Sequence, residues 1–307
     1  MPALRHACIA LALVLAGAAA AGAQSAERRM LVSVLDGDGA PVTGLEAADF
    51  EIREDGAARE VLRIDPAGAG RQIALVVDTS EAALRATSDL RRGLSAFVDG
   101  MHGDNRITIV SFGGRPRILV ETTSDIERLR GGIDRVFPQS GEAAYMLDAL
   151  YEVAEGFTRR LADRPVMVAV TTGGIDYSNR RSRDVLERLE ESGAALYTLS
   201  VEARRAGFGI GQPAGGFAGG IDARQQEFER DRVLAQGTTD TGGRHRDLFA
   251  SSAVERAMQE IVAELRNQYL VVYSRPDTLI PPEEVRVSVE RTGLTARGIL
   301  LRDRDNP

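Results

Sequence analysis

The chain has 307 residues, enough for one large core or two modest domains, and a net charge of −7 from 45 acidic and 38 basic side chains. Lysine is absent, so every basic side chain is arginine, and there is no tryptophan. That excludes Walker-type phosphate loops, Schiff-base enzymes and pyridoxal-phosphate enzymes, each of which needs a lysine, and argues against nucleic-acid surfaces and aromatic stacking platforms.

Residues 1–23 read as an export signal. Arg5 and His6 precede an apolar run over 9–21, and Ala21-Gly22-Ala23 is a small-residue cleavage pattern. The run is short for a membrane span, which needs about 20 apolar residues, and no later stretch is apolar enough to cross a bilayer. The single cysteine, Cys8, lies inside this segment, so the exported chain is expected to carry no thiol. Periplasm and external medium both remain open as destinations.

Over 30–65 the pattern is short strands with turns. Leu31-Val32-Ser33-Val34-Leu35 meets Asp36-Gly37-Asp38-Gly39, Phe50-Glu51-Ile52-Arg53 alternates before Asp55-Gly56, and Val61-Leu62-Arg63-Ile64 follows. Such an element is too small to stand alone. Residues 66–70 read as a linker. From 71 to 274 strands and helices alternate. The runs at 73–77, 107–112, 165–170 and 195–201 are nearly continuous in apolar residues, as in strands buried on both faces. Leu90, Leu94, Phe97, Val98 and Met101 share a helical face, as do Met146, Leu150, Val153 and Phe157. Ser124-x-x-Glu127 and Ser252-x-x-Glu255 have the spacing of capping boxes. This alternation predicts a doubly wound, mostly parallel α/β sheet. Residues 206–221, with seven glycines, read as a surface loop. Strands are predicted at 269–273 and over 284–301. The terminal strands are expected to meet, since neither group can bury a face by itself.

The junction Ile73-Ala74-Leu75-Val76-Val77-Asp78-Thr79-Ser80 carries the chemistry of the chain. A buried parallel strand ending in Asp-x-Ser places a carboxylate and a hydroxyl at the carboxyl edge of the sheet, where open α/β folds bind ligands. This loop resembles the metal-binding loop, Asp-x-Ser-x-Ser, of von Willebrand factor type A (vWA) domains. Three further stretches resemble the vWA-related proteins exported by many bacteria: 34–56, Thr241-Gly242-Gly243-Arg244, and Glu264-Leu265-Arg266-Asn267-Gln268-Tyr269-Leu270-Val271-Val272-Tyr273. The resemblance implies a vWA domain over 71–274 with small β elements at both ends.

It also implies a magnesium or calcium ion held by oxygen ligands from three loops. Carried over residue by residue, Asp78 and Ser80 are kept. Ala82, Ala144 and Thr172 stand where the family has serine, threonine and aspartate, so three of five ligands are replaced. Glu81, Glu142 and Asp176 are candidate substitute carboxylates. With so little charge left to offset dehydration of the ion, no cofactor is expected, and Asp78 is expected either to cap a neighbouring helix or to bond loop amides.

Other chemistries find less support. Val34-Leu35-Asp36-Gly37-Asp38-Gly39 imitates a phosphatase motif, but Ala40 replaces the usual threonine and no lysine exists to hold phosphate. His102 and His245 are isolated, without a cysteine to complete a zinc site, and no Gly-x-Ser-x-Gly elbow occurs. The expected function is therefore a non-catalytic protein-binding module working through loops 78–82, 139–144 and 171–178. Asp78, Thr79, Ser80, Glu81, Glu142, Thr171, Thr172 and Asp176 are the contact candidates, with Phe208 and Phe217 adding apolar contacts. The rival readings are a divalent-cation-dependent adhesion module and an enzyme of unplaced mechanism. Oligomeric state is not readable from the sequence.

Overall fold

The structure of the protein, a computed structural model, describes residues 25–173, 175–201, 217–276, 280 and 282–301. Residues 1–24, where an export signal is expected, and most of the glycine-rich stretch, including Phe208, lie outside the described residues. The first part of the chain forms β1 (Ser25–Leu35), β2 (Phe50–Glu54), β3 (Ala57–Arg59) and β4 (Val61–Pro66). Then follow β5 (Gln72–Val77), α1 (Thr87–Met101), β6 (Arg106–Ser111), β7 (Arg117–Thr123), α2 (Ile126–Asp134) and α3 (Met146–Arg159). Next come β8 (Val166–Thr171), α4 (Ser182–Ser192), β9 (Ala195–Val201), α5 (Phe217–Arg232), β10 (Arg244–Leu248) and α6 (Val254–Arg266). The chain closes with β11 (Tyr269–Pro276), β12 (Val285–Val289) and β13 (Thr295–Leu300).

Strands β10-β9-β8-β5-β6-β7 form one sheet in that order, parallel except for the β6–β7 pair. Alternation along β5 divides its side chains between two cores. Ile73, Leu75 and Val77 face α1, α2 and α6, while Ala74 and Val76 face α3 and α4. A strand buried on both faces must be apolar throughout, which is why its sequence shows no period of two. The chain leaves β5 for β6 on one side and later returns to β8 on the other. The switch point of the winding therefore lies at the carboxyl end of β5, immediately before Asp78.

The flanking strands form a β-sandwich. Sheet β13-β1-β11-β4 packs on sheet β12-β2-β3 around Met30, Val32, Val34, Phe50, Ile52, Val271 and Tyr273. β1 pairs with β13 on one side and β11 on the other, so the N- and C-terminal strands do meet. One expectation needs correction here. The strand at 269–273 was assigned to the doubly wound unit, yet β11 joins the flanking sheet between β1 and β4. Its inward residues Tyr269, Val271 and Tyr273 complete the sandwich core, which the remaining strands could not fill alone.

Polar side chains fasten the two units. Arg71, 2 % exposed, donates to Gln268 Oε1 at 3.0 Å, and Gln268 Nε2 donates to Ser33 Oγ at 3.0 Å. Burial, with help from Arg164, pulls the Arg71 guanidinium down to about 10. Arg164 donates to the carbonyls of Ala67 and Ala69, so the 66–70 linker is pinned to the body. Nearby, the buried Glu264 of α6 accepts from Tyr197 Oη (2.9 Å) and from Arg297 Nη2 of β13 (2.7 Å), with Arg244 Nη2 at 3.5 Å. Gly242 has φ +68°, and a Cβ there would lie 2.6 Å from the carbonyl oxygen of Gly298. The Thr241–Arg244 turn and the 264–273 stretch thus converge on one joint between helical unit and sandwich.

Three local expectations also change. Asp125, not Ser124, caps α2, accepting from the amides of Glu127 and Arg128. Ser252 caps nothing: a short 3-10 turn over Ser251–Ala253 precedes α6, and Ser251 donates to Asp89 instead. The glycine-rich loop, expected to reach 221, gives way to α5 at Phe217. Glycines at 219 and 220 read as helix-breaking, but the long polar run behind them carries the helix.

Candidate functional site

The three loops of interest stand together at the carboxyl edge. Gly113 ends up so close to the β5 loop that a Cβ would lie 2.1 Å from the Thr79 carbonyl, so only glycine fits. Its amide donates to Thr79 Oγ1 at 3.0 Å. Ala144 forms bridges with Gly113 on one side and Asp176 on the other, which joins the 139–144 loop to both neighbours through backbone bonds. Where the family has a threonine, this chain thus has a buried alanine in a small ladder.

Asp78, Asp176 and Glu81 tie the loops together. Asp78 is fully buried and accepts three bonds: from the Ser80 amide (2.9 Å), the Thr172 amide (2.9 Å) and the Thr172 hydroxyl (2.8 Å). Asp176, also buried, accepts from the Met146 and Leu147 amides at the start of α3 and from the Ser178 amide. It thereby serves that helix as an N-terminal anion from a neighbouring loop. Burial pushes its carboxyl above the ordinary range, against the pull of those hydrogen bonds. Glu81 accepts from the Gly141 amide at 2.9 Å, and its own amide donates to the Glu142 carbonyl.

The ion that the resemblance implies does not fit this donor set. A hard cation needs oxygen lone pairs turned toward it and net negative charge to offset its dehydration. Here the lone pairs of Asp78 face one hydroxyl and two amide donors. Asp176 and Glu81 are likewise turned to backbone amides. Ser80 Oγ is buried without a hydrogen-bond partner, a lone remnant of the ligand set. Among the described residues no three His, Cys, Asp or Glu side chains gather as a metal group.

The contact role expected of these residues also changes. Asp78, Thr79, Ser80, Thr171, Thr172 and Asp176 are buried, so they shape the loops from inside and cannot touch a partner directly. Of the eight, only Glu81 and Glu142 reach solvent. Large apolar side chains also stand exposed at this edge, beside polar ones such as Glu81 and Gln139. Leu84, Phe137, Ile175, Tyr177 and Phe249 are exposed there, five of the eleven large apolar side chains exposed among the described residues. Arg91 lies over the Phe137 ring, 5.9 Å from its centroid. Sequence patterns missed these positions because loop residues have no period. The one available signal was bulky apolar residues inside stretches otherwise read as loop.

One constellation looks catalytic. Thr198 Oγ1 is 2.7 Å from His245 Nδ1, and His245 Nε2 is 3.2 Å from Asp247 Oδ1. Thr198, however, is fully buried in the sheet, so its hydroxyl meets no substrate. A groove of about 350 Å³ runs beside α3 over β5, β6 and β7. Thr108 and Thr122 in its wall bond each other.

Residues 73–175 match the family model of the von Willebrand factor type A domain. With the sheet order above, this shows a vWA-type fold flanked by additional strands. No curated protein matches the chain significantly. Among solved structures, the conserved hypothetical protein BatB from Bacteroides thetaiotaomicron aligns at 16% identity and TM-score 0.44, covering 62% of this chain and 97% of that one. An aerotolerance-related membrane protein from Bacteroides fragilis aligns at 16% identity and TM-score 0.43, over 63% and 98% of the two chains. A von Willebrand factor type A protein from Catenulispora acidiphila aligns at 10% identity and TM-score 0.46, over 91% and 66%. These likenesses are distant, and the fold assignment rests on the family match and the topology.

Proposed function

We propose that this chain is an exported, non-catalytic vWA-type module that binds another protein through the loops at the carboxyl edge of its sheet, without a metal ion. The observation that carries this reading is the apolar rim of Leu84, Phe137, Ile175, Tyr177 and Phe249 around a buried polar centre. Single exposed apolar side chains are ordinary, but a concentration of them on one edge marks a contact surface. Aromatic side chains at such an edge bring large contact area at little entropic cost, and they are the usual anchors of interfaces.

The donor set supports the metal-independent reading. With Asp78 satisfied by Thr172 and Ser80, a partner's carboxylate finds no bridging cation, so recognition works by shape and apolar burial. Export rests on the charged and apolar pattern of residues 1–23. No helix among the described residues is long and apolar enough to cross a membrane.

The test is capture from an envelope extract of the encoding organism, using the chain from Gln24 onward as bait. Proteins retained by the wild type are expected to persist in EDTA and to be lost when Leu84, Phe137, Ile175 and Tyr177 are all changed to serine. Retention of every captured protein by the serine variant counts decisively against the reading.

A further inference from the structure

We infer that Thr172 takes over the cross-linking work of a cation in this fold: its hydroxyl and amide hold the β5 loop to the β8 loop, and this one side chain sets whether the site needs a divalent ion. The inference deepens the reading above and rests on the same loops being the working face.

The geometry is direct. Asp78 follows β5 and Thr172 follows β8, neighbouring parallel strands at the switch point. The Thr172 hydroxyl and amide reach the same oxygen, Asp78 Oδ2, at 2.8 and 2.9 Å, and the Ser80 amide takes Oδ1. Both loop residues are at most 2 % exposed, so these bonds are shielded from water. Buried charge-assisted bonds of this length are the strong kind. The other loop contacts complete a frame. Asp176 fixes the β8 loop to the start of α3, and Glu81 fixes the β5 loop to Gly141. The three carboxylates become struts pointing into protein amides, where an ion site would point them at a common centre.

Aspartate at position 172 reverses the logic. A second carboxylate would then stand within hydrogen-bond distance of Asp78 in a buried place. Two carboxylates placed that close repel each other, and a cation between them offsets the repulsion. Ser80, whose amide already donates to Asp78, has a buried hydroxyl without a hydrogen-bond partner that is free to join such a site. Valine at 172 keeps the shape and removes only the hydroxyl, leaving a carboxylate short of one donor. Serine keeps the hydroxyl.

The experiment is thermal melting of the chain from Gln24 onward, as wild type, T172D, T172V and T172S, in EDTA and in millimolar magnesium, manganese or calcium chloride. Wild type and T172S are expected to melt together and to shift by less than about 1 °C between conditions. T172D is expected to melt about 5 °C or more lower in EDTA and to regain most of that loss with at least one ion. T172V is expected to melt lower than wild type with no ion response. A wild-type melting temperature that rises with ions overturns the inference, as does a folded T172D that ignores them. If T172D does not fold, equal melting of T172V and wild type overturns it, and a lower melting T172V rescued by T172S upholds it. None of these readouts involves a partner, so failure of the binding proposal and failure of this one are separable. Capture that survives in the serine-rim variant sinks only the former.

Discussion

Replacing Glu264 by alanine tests how the helical unit and the sandwich are joined. Glu264 is 1 % exposed on α6 and receives Tyr197 Oη and Arg297 Nη2, with Arg244 Nη2 close by. Its loss strands two guanidinium groups and a phenol in a largely dry setting. Removing one member of a buried charged cluster costs about 3–5 kcal/mol. The Arg244 and Arg297 side chains keep 17% and 21% of their exposure, so water screens part of the loss and the lower end, about 3 kcal/mol, applies. For a chain of this size that lowers the melting temperature by about 6–12 °C. Because Glu264 lies on the helical unit and Arg297 on the sandwich, scanning calorimetry should also show the single transition broaden or split. Glu260→Ala on the same helix is the control. Its partners Arg246 and Arg256 are more exposed, and the expected cost is below about 1 kcal/mol. If E264A and E260A melt together, the joint is not held as described.

Gly242→Ala forces a side chain into left-handed backbone and against the Gly298 carbonyl; urea unfolding should show a loss of about 2 kcal/mol or more. Changing Phe137 and Tyr177 to serine should leave stability within about 0.5 kcal/mol, since both rings are exposed, while abolishing capture of a partner. Glu229 of α5 accepts from the hydroxyl and amide of Ser182, which hold its carboxyl below the ordinary value of 4.5. A lowered value means the contact is at full strength above pH 4.5 and is lost as pH falls through the folded-state value. The protection of the Ser182 amide, its exchange rate relative to the intrinsic rate at the same pH, should therefore fall on acidification, and Glu229→Gln should remove that change.

Much of the helical unit was legible because its signals are local. Apolar runs at 73–77 and 165–170 have the length and β-branched content of strands buried on both faces, and the stripe of Leu90, Leu94 and Phe97 has the spacing of a helix packed on them. The sandwich was half legible. Its strands showed in the sequence, but the pairing of Met30 with Val271 and Leu300 spans most of the chain, and no local pattern encodes it. The caps failed for a related reason: Ser124 and Asp125 both suit an N-cap, and the choice depends on where the backbone first turns. At the site, the lost ligands were visible as Ala82, Ala144 and Thr172. What replaced them was not, because a threonine hydroxyl reaching across to Asp78 depends on strand order and loop approach. Burial reversed the expected roles, turning polar residues expected at the surface into internal struts and leaving Phe137 and Tyr177 outside.

The most direct measurement places a photo-reactive benzophenone side chain at Tyr177, on the rim, or at Leu161, past the end of α3 at the opposite edge, in cells producing the protein. Both positions are well exposed, at 53% and 83%. The account expects discrete adducts from position 177 that form equally well in EDTA, and none from position 161. Adducts from 161 alone, or adducts at 177 that vanish when divalent ions are removed, would contradict it.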